Sequence, residues 1–253
     1  MATQFARIHA YKATDAEGVL DEASRVEGAH PHVSAPKPPI WTMGSAEAVK
    51  ADLRRHMASP EKLKMKDGKI VDRKRRKDTR AFSAGVLSWP DSLQFLRKNR
   101  GRHEAMKQWF GDSLAWLQKT YGDKLSAVVV HQDESHPHMH FFVVGECQKL
   151  HPGLAAELKN GKRIADRGER AEAYSAGLKG WLDDYQHQVG QHVGLDRGVQ
   201  LAKPAWRVKD RQIRAKVVEI DRHLAVQPDQ DLADLRDDLY DSSELTPRAS
   251  MKF

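Results

Sequence analysis

Four histidines and two carboxylates lie in the segment HQDESHPHMH, residues 131–140. Histidine titrates near neutral pH and binds transition metals through a ring nitrogen, and carboxylates accept protons or bind cations. The sequence contains one cysteine, Cys147, which excludes an intrachain disulfide and a Cys-rich zinc site. Any metal ion in this region must therefore be held by histidine and carboxylate side chains.

Two apolar segments flank these residues and position them. The segments SAVVVH, residues 126–131, and HMHFFVV, residues 138–144, are both predicted strands. The segment QDESH between them is short enough for an antiparallel hairpin. Because strand residues two apart point to the same side, His138 and His140 share a face, and His131 lies beside them. Three imidazoles in this arrangement can bind Mn²⁺, Zn²⁺, Co²⁺ or Ni²⁺ and leave coordination positions open for a substrate.

Asp133 and Glu134 lie in the predicted turn of this hairpin. In one interpretation they orient the imidazoles through the ring nitrogen that faces away from the metal, or accept protons during a reaction. In the other, Asp133 is an ordinary turn residue. His136 falls on the other side of the strand alternation, so we expect it to be exposed and not to bind a metal.

The net charge of +7 is concentrated in one segment. Residues 62–80 contain ten Lys or Arg residues and three Asp residues, which accounts for the whole excess. From Val226 onward the balance is reversed, with seven acidic and three basic residues. A basic run of this kind indicates either a solvated loop or a surface that binds a polyanion. The tail has the composition of a linker or a disordered segment.

The rest of the chain alternates between predicted strands and helices. Strands are predicted at residues 4–12 and 80–89, and a Pro-rich loop at residues 30–41. The predicted helices occupy residues 46–59, 102–122, 170–194 and 206–226. No stretch is long and apolar enough to span a membrane, and the N-terminus lacks the apolar centre of a signal peptide, so we expect a cytoplasmic protein.

The segment HQDESHPHMH resembles the third motif, HxDExxPHxH, of the plasmid mobilisation relaxases of the MobV (Mob/Pre) family, which are HUH endonucleases. Other segments resemble the family in the same order: FARIHAYK its first strand, RKDTRAFSAGVLS its second, and LDDYQHQVGQHVGLDRG the end of the domain. The resemblance covers residues 1–210 and implies an α+β fold, in which helices flank an antiparallel central sheet of the HUH-endonuclease type. We interpret residues 211–253 as a C-terminal helix and acidic tail, and as a linker to a further region.

The resemblance implies a DNA nicking and joining activity. In such enzymes a metal ion on the three histidines polarises the scissile phosphate and a protein side chain attacks phosphorus. The 5′ end then stays covalently bound to the protein, and a 3′-OH is released. The implied cofactor is a divalent ion, with Mn²⁺ expected before Zn²⁺, Mg²⁺, Co²⁺ or Ni²⁺.

The implied partner is the DNA of an origin hairpin and its adjoining single strand, bound by the basic segment. Relaxosome proteins, or a second copy of the chain, are expected to bind the C-terminal region. The residues that we place nearest DNA are Arg7, Lys12, Arg25, Arg73, Arg75, Arg76, Lys77 and Arg80.

The nucleophile is the place where the sequence departs from the family. The family presents a nucleophilic histidine three residues before an arginine, and in the segment EASR this places Glu22 at the histidine position and Arg25 at the arginine. Ala84 stands near the position of a family glutamate. A glutamate can attack phosphorus, as carboxylates do in aspartyl-phosphate enzymes. The predicted catalytic residues are Glu22 or His30 as nucleophile, with Asp133 and Glu134 assisting, and Tyr11, His32 and Asp21 as alternative nucleophiles.

Three hypotheses follow from these residues. The first is a metal-dependent relaxase that cuts and rejoins one DNA strand. The second is a relaxase-like protein that binds origin DNA without strand transfer, because the nucleophile is altered. The third is a nucleotide hydrolase of the histidine-triad type, which the sequence disfavours because Phe142 stands where a third alternating histidine is required.

Overall fold

The computed structural model describes residues 2–33, 35–65 and 67–198. The strands are β1 (Phe5–Lys12), β2 (Ile40–Met43), β3 (Glu61–Lys64), β4 (Ile70–Arg73), β5 (Arg80–Ser88), β6 (Leu125–His131), β7 (His138–Val144), β8 (Leu158–Lys159) and β9 (Lys162–Arg163). The helices are α1 (Ala16–Ala23), α2 (Ala46–Ala58), α3 (Leu93–Lys98), α4 (Arg100–Tyr121), α5 (Cys147–Leu150), α6 (Pro152–Ala156) and α7 (Arg167–Gln188).

Five strands form one antiparallel sheet in the order β1-β5-β7-β6-β2. β6 and β7 are neighbours in this sheet, so the predicted hairpin is confirmed. Helices pack against both faces, which confirms the predicted α+β architecture of an antiparallel central sheet flanked by helices. Two smaller hairpins, β3–β4 and β8–β9, lie outside this sheet.

One face of the sheet packs against α4 and α7 through large aromatic residues. Trp109 and Trp116 of α4 and Trp181 and Tyr185 of α7 are buried with Phe141 of β7. The indole N–H of Trp109 donates a 2.6 Å hydrogen bond to the Tyr185 hydroxyl, so the polar groups of these two rings are paired. This close-packed layer fixes the positions of β6 and β7.

The other face packs against α1 and α2 and ends at the three histidines. Along β7 this face consists of His138, His140, Phe142 and Val144, because alternate residues of a strand share a side. Phe142 is fully buried in the same cluster as Leu20 of α1. The apolar end of the strand therefore anchors the end that carries the histidines.

β2 lies in a segment that the sequence predicts to be a loop. Ile40 and Trp41 pair antiparallel with β6 at the edge of the sheet. The two prolines before Ile40 lie outside the strand, where a missing N–H costs no ladder hydrogen bond. The prediction of a loop over residues 30–41 was therefore wrong at its C-terminal end, where the apolar Ile-Trp pair extends the sheet.

Two other elements also differ from the sequence prediction. The basic segment 62–80 contains most of the β3–β4 hairpin and the connection to β5. The predicted helix over 170–194 ends at Gln188, and a separate 3-10 turn spans Gly190–Val193. The predicted helix at 206–226, the acidic tail and the domain boundary at residue 210 lie outside the described residues. Within the described ranges, every helix is too short or too polar to cross a membrane.

Candidate functional site

The ends of β6 and β7 bring His131, His138 and His140 together. His131 pairs with His138 in the ladder. The ring centroids are 5.2 Å apart for His131 and His138, 4.8 Å for His131 and His140, and 5.1 Å for His138 and His140. One ring nitrogen from each residue lies within 4.8 Å of the other two, which is the arrangement of ligands around a single ion.

Backbone carbonyls hold two of these rings. Nε2 of His131 donates a 2.8 Å hydrogen bond to the carbonyl of Ala23, at the end of α1. Nδ1 of His138 donates a 3.0 Å hydrogen bond to the carbonyl of His136. A carbonyl only accepts, so these bonds place the proton on the named nitrogen and leave the other nitrogen with its lone pair. Nδ1 of His131 is buried and has no hydrogen-bond partner among the described residues, which fits a ligand atom for a metal ion.

Burial lowers the pKa of all three imidazoles. It lowers the pKa of His131 to about 4, with repulsion from Arg25 as the next cause. Burial, followed by repulsion from His138 and His131, holds the pKa of His140 well below its ordinary value. Burial also lowers the pKa of His138, against the opposing effect of Glu134. The rings are therefore neutral at pH 7 and can present lone pairs to a cation.

We expect the metal-free protein to lose stability as the pH falls below the ordinary histidine pKa of 6.5. Between pH 6.5 and about 4, the unfolded chain binds a proton at His131 that the folded chain does not, so stability increases with pH across this window. At pH 5 this residue alone should cost about 2 kcal/mol. Urea unfolding of the wild type and of His131→Asn, at pH 7 and at pH 5 in EDTA, measures the difference. Equal pH dependence in both proteins would contradict a buried, neutral His131.

Arg25 connects the end of α1 to the turn between β6 and β7. Its Nε and Nη2 donate hydrogen bonds of 2.8 and 2.9 Å to the two oxygens of Asp133, and Nη2 also donates to Glu134 at 2.8 Å. The Arg25 and Asp133 side chains are 4% and 1% exposed. Asp133 also accepts a 3.2 Å hydrogen bond from the backbone N–H of Lys37. Burial raises the pKa of Asp133, but the bonds from Arg25 and Lys37 outweigh it and hold the pKa below its usual value.

The backbone of Arg25 is in the left-handed region, with φ of 58°. This position after a helix normally favours glycine, and a side chain there costs free energy. The hydrogen bonds to Asp133 and Glu134 compensate that cost and hold the end of α1 against the turn.

The structure bears on one of the roles predicted for the two carboxylates. In one interpretation of the sequence, Asp133 and Glu134 orient the imidazoles through their outer nitrogens or accept protons, and in the other Asp133 is an ordinary turn residue. In the structure, backbone carbonyls orient His131 and His138. The carboxylate of Asp133 instead accepts hydrogen bonds from Arg25 and from the backbone N–H of Lys37. Glu134 lies closer to the cluster, with Oε1 3.5 Å from Nε2 of His138.

The structure separates the candidate nucleophiles. Glu22 and His32 lie together, with Nε2 of His32 3.9 Å from Oε1 of Glu22 and 3.8 Å from Oε1 of Glu134. His30 is buried, and among the described residues no hydrogen bond or ion pair joins its ring to the histidine cluster. The sequence alone ranks His30 with Glu22 and places His32 behind both.

Tyr11 and Asp21 are the two remaining candidate nucleophiles. Tyr11 occupies the same row of the sheet as Val144, four residues along β7 from His140. That separation is about 13 Å at the rise of a strand. Asp21 forms an ion pair of 3.5 Å with Lys50 of α2. Among the described residues, no hydrogen bond or ion pair joins either side chain to the three histidines.

The sequence match to a known family decides the identity of this fold. Residues 46–209 match the family Mob_Pre, described as a plasmid recombination enzyme. The match spans nearly two thirds of the chain. The chain belongs to the Mob_Pre family. The MobV (Mob/Pre) resemblance found in the sequence is therefore confirmed. No curated protein matches this Mob_Pre chain.

Solved structures of the MobM relaxase domain (MOBV; Mob_Pre) are similar to this Mob_Pre chain. One, bound to 26 nucleotides of pMV158 oriT DNA, is 19% identical, with 80% of this chain and 94% of that chain covered and a TM-score of 0.46. A second, Mn-bound at pH 5.5 with 22 nucleotides of that DNA, is 20% identical, with 80% and 93% covered and a TM-score of 0.49. A third, Mn-bound at pH 6.8 with 22 nucleotides and a 3′-thiophosphate, is 19% identical, with the same coverage and a TM-score of 0.47.

The basic residues of this Mob_Pre chain fall into an exposed and a buried group. Arg25 and Arg75 are buried, with side chains 4% and 8% exposed. Arg75 lies 3.5 Å from Glu146 and donates a 3.1 Å hydrogen bond to the carbonyl of Ser59. These two arginines serve ion pairs inside the fold, which leaves them little surface for DNA. The exposed members of the predicted set are Lys12, Arg73, Arg76, Lys77 and Arg80.

Arg7 and Ala84 lie on the histidine face of this Mob_Pre fold. Arg7 is half-buried and pairs with Val86, which pairs with His140, so it stands two strands from that histidine in the same row. Two strand spacings amount to about 10 Å. Ala84 is buried beside Phe142 and supplies no carboxylate at this place.

Proposed function

We propose that this chain is a metal-dependent DNA relaxase. It nicks and rejoins one strand at an origin of transfer on a plasmid or mobile element, through a covalent protein–5′-phosphate intermediate. The observation that carries the proposal is the cluster of three neutral histidines in a chain of the Mob_Pre family. Their nitrogens approach one another from two paired strands that are rigidly supported on both faces.

The histidine cluster fits a divalent cation, with Mn²⁺ expected first. His131, His138 and His140 would hold it, because three neutral nitrogens suit a borderline divalent ion and leave coordination positions for a phosphate. A cation bound there neutralises charge on the phosphoryl oxygens and orients the ester for in-line attack. Glu134 stands next to the cluster and can accept a proton or hold a water molecule.

The exposed basic residues form the proposed DNA surface. Arg73 ends β4, Arg76 and Lys77 lie in the connection that follows, and Arg80 begins β5. Arg76 forms an exposed ion pair with Asp78 at 3.0 Å, and Arg73 forms one with Glu61 at 2.8 Å. Exposed pairs of this kind are weak, so phosphates can replace the carboxylates. Arg7 adds positive charge on the histidine face of β1, and Lys12 is exposed at the end of that strand.

DNA binding is expected to weaken steeply with salt, and removing a side chain that binds a phosphate should reduce that dependence. For the Arg76→Ala and Lys77→Ala variants we expect the slope of log K against log salt to fall by about 1 for each basic side chain removed. Fluorescence anisotropy with a labelled hairpin oligonucleotide at several salt concentrations measures the slope. The matched control is Lys119→Ala. Lys119 is an exposed lysine of α4, and α4 packs against the face of the central sheet opposite to the histidines. An equal change in all three variants would contradict a specific surface at the hairpin.

Glu22 supports a second candidate function. It stands where the family resemblance places a nucleophilic histidine, so a protein that binds origin DNA and a metal without strand transfer also fits. The histidine-triad alternative finds no support, because Phe142 is buried in the core at the position that such a site requires.

A selection for covalently bound DNA tests the proposal without knowledge of the origin sequence. A pool of hairpin-bearing single strands with random flanks is incubated with the full chain in Mn²⁺ or in EDTA. Strands that remain on the protein after boiling in detergent are sequenced. We expect a recurrent sequence in Mn²⁺ and none in EDTA. Specific retention on the native protein, with nothing surviving detergent under any divalent metal, would favour the second candidate.

Three further predictions from the sequence belong to this proposal. A cytoplasmic location, a relaxase domain over residues 1–210, and binding of relaxosome proteins or a second copy through residues 211–253 all remain predictions from the sequence.

A further inference from the structure

We propose that His32 is the nucleophile of the strand-transfer reaction, and that its imidazole attacks the scissile phosphate beside the three-histidine cluster. This inference rests on the proposed function and names the residue that carries it out. It assigns to the loop after α1 an imidazole that the sequence does not provide at position 22.

The first support is position. Nε2 of His32 lies 3.8 Å from Oε1 of Glu134, and the same oxygen lies 3.5 Å from Nε2 of His138. One carboxylate oxygen therefore contacts both His32 and a member of the metal cluster. A phosphate bound at the cluster would lie next to the His32 ring.

The second support is the way the loop holds this residue. Residues 30–33 form a turn that closes with a 3.0 Å hydrogen bond from the N–H of Val33 to the carbonyl of His30. Pro31 occupies the second position of the turn, where its fixed φ suits the geometry. His30 and Val33 are buried on either side, at 9% and 8% exposed. The turn therefore fixes the backbone of His32, as positioning for in-line attack requires.

The third support is accessibility. The His32 side chain is 26% exposed, so it is open to a bound strand while it contacts two carboxylates. Buried His30 lacks that access. Glu22 is open, at 42%, but a carboxylate brings negative charge toward a negatively charged phosphodiester. An imidazole nitrogen attacks as a neutral base and avoids this repulsion.

The step balances without a further reactant. The lone pair of a His32 ring nitrogen forms a bond to phosphorus, and the bond from phosphorus to the 3′-oxygen breaks. The 3′-oxyanion takes a proton from water and leaves as a 3′-OH, while the phosphate keeps its ester bond to the 5′-oxygen of the downstream nucleotide. The ring is positively charged until its other nitrogen loses a proton to solvent. The carboxylates of Glu22 and Glu134, both within 4 Å, stabilise that charge.

Mapping the covalent adduct tests the proposal. The wild-type chain is reacted with a strand recovered from the selection, digested with protease and nuclease, and analysed by mass spectrometry. We expect the nucleotide on the peptide that contains His32. A bond from phosphorus to imidazole nitrogen breaks in acid and survives alkali, whereas an acyl phosphate on Glu22 is hydrolysed in alkali as well as in acid. The adduct should therefore be acid-labile and alkali-stable.

Substitutions separate a nucleophile from a structural residue. His32→Ala should reduce adduct formation at least about 100-fold, with unchanged thermal unfolding and unchanged DNA binding in EDTA. Glu22→Gln should still form the adduct on His32. The control is His192→Ala, an exposed histidine of the 3-10 turn Gly190–Val193, which should react like the wild type. An adduct on Glu22, His30 or another residue overturns the assignment but leaves the relaxase function standing. The absence of any adduct in the wild type overturns both.

Discussion

Replacing His140 with alanine should abolish tight Mn²⁺ binding and, with it, DNA cleavage. The structure has three neutral nitrogens within 4.8 Å of one another, and the variant leaves two. Changes to residues that only orient a ligand already cost metal affinity 10–100-fold, so loss of a ligand should cost more than about 100-fold. Isothermal titration of the metal-free chain with MnCl₂ measures the affinity directly.

The control for this prediction is His136→Ala. His136 lies in the same segment, but its backbone carbonyl, and not its ring, supports the cluster. The alanine variant keeps that carbonyl and should bind Mn²⁺ as the wild type does. If His140→Ala keeps full affinity, or if His136→Ala loses it, the ion is held by other ligands and the three-histidine assignment fails.

Replacing Arg25 with alanine should destabilise the fold by about 3–5 kcal/mol, because it leaves the buried carboxylate of Asp133 without its charged partner. The Asp133 side chain is 1% exposed and receives two hydrogen bonds from Arg25. Arg25→Lys should recover only part of this loss, since an ammonium cannot bond both oxygens of Asp133 and Glu134 in the planar geometry of a guanidinium. Urea unfolding at pH 7 gives the free energies.

A double-mutant cycle distinguishes the ion pair from general damage to the site. Asp133→Asn combined with Arg25→Ala should cost clearly less than the sum of the single variants, because each partner is then absent. Additive costs would show that Arg25 stabilises the protein through packing alone. In that case the network would have no special part in holding α1 against the histidine turn.

The histidine hairpin could be predicted from local sequence because local rules determine it. The β-branched segment before His131 and the alternation from His138 to Val144 specify two strands, and the short polar segment between them specifies an antiparallel pair. The helix cap at Ser45 follows from the same kind of rule, and its side chain accepts a hydrogen bond from the N–H of Ala48.

Contacts between distant segments could not be predicted in this way. Arg25 and Asp133 are far apart in the chain, so nothing in either local segment shows that the arginine is buried in an ion pair and not open to DNA. Arg75 is a second case, since its partner Glu146 follows a different strand. Position along a basic run does not show which of its side chains face solvent.

His32 illustrates what the sequence could and could not indicate about the proposed nucleophile. The motif alignment draws attention to position 22, whereas the loop brings residue 32 to the site from ten positions downstream. The His-Pro-His-Val segment is a turn signal, and its burial pattern of a buried residue at each end with an open histidine between them marks a positioned side chain. The Pro-rich loop was predicted from the sequence, but the direction in which the His32 side chain points was not.

The most direct test of the proposed function is which end of the cut DNA strand becomes covalently attached to the protein. A cleavable strand is labelled either 5′ or 3′ of the nick and reacted with the chain in Mn²⁺, in EDTA, and with His140→Ala. We predict that in Mn²⁺ the label 3′ of the nick migrates with the protein on a denaturing gel. The label 5′ of the nick should migrate as a free, shortened strand with a 3′-OH. In EDTA, or with His140→Ala, both labels should stay on the uncut strand. Two free fragments, or cutting that persists in EDTA, would contradict a metal-dependent relaxase.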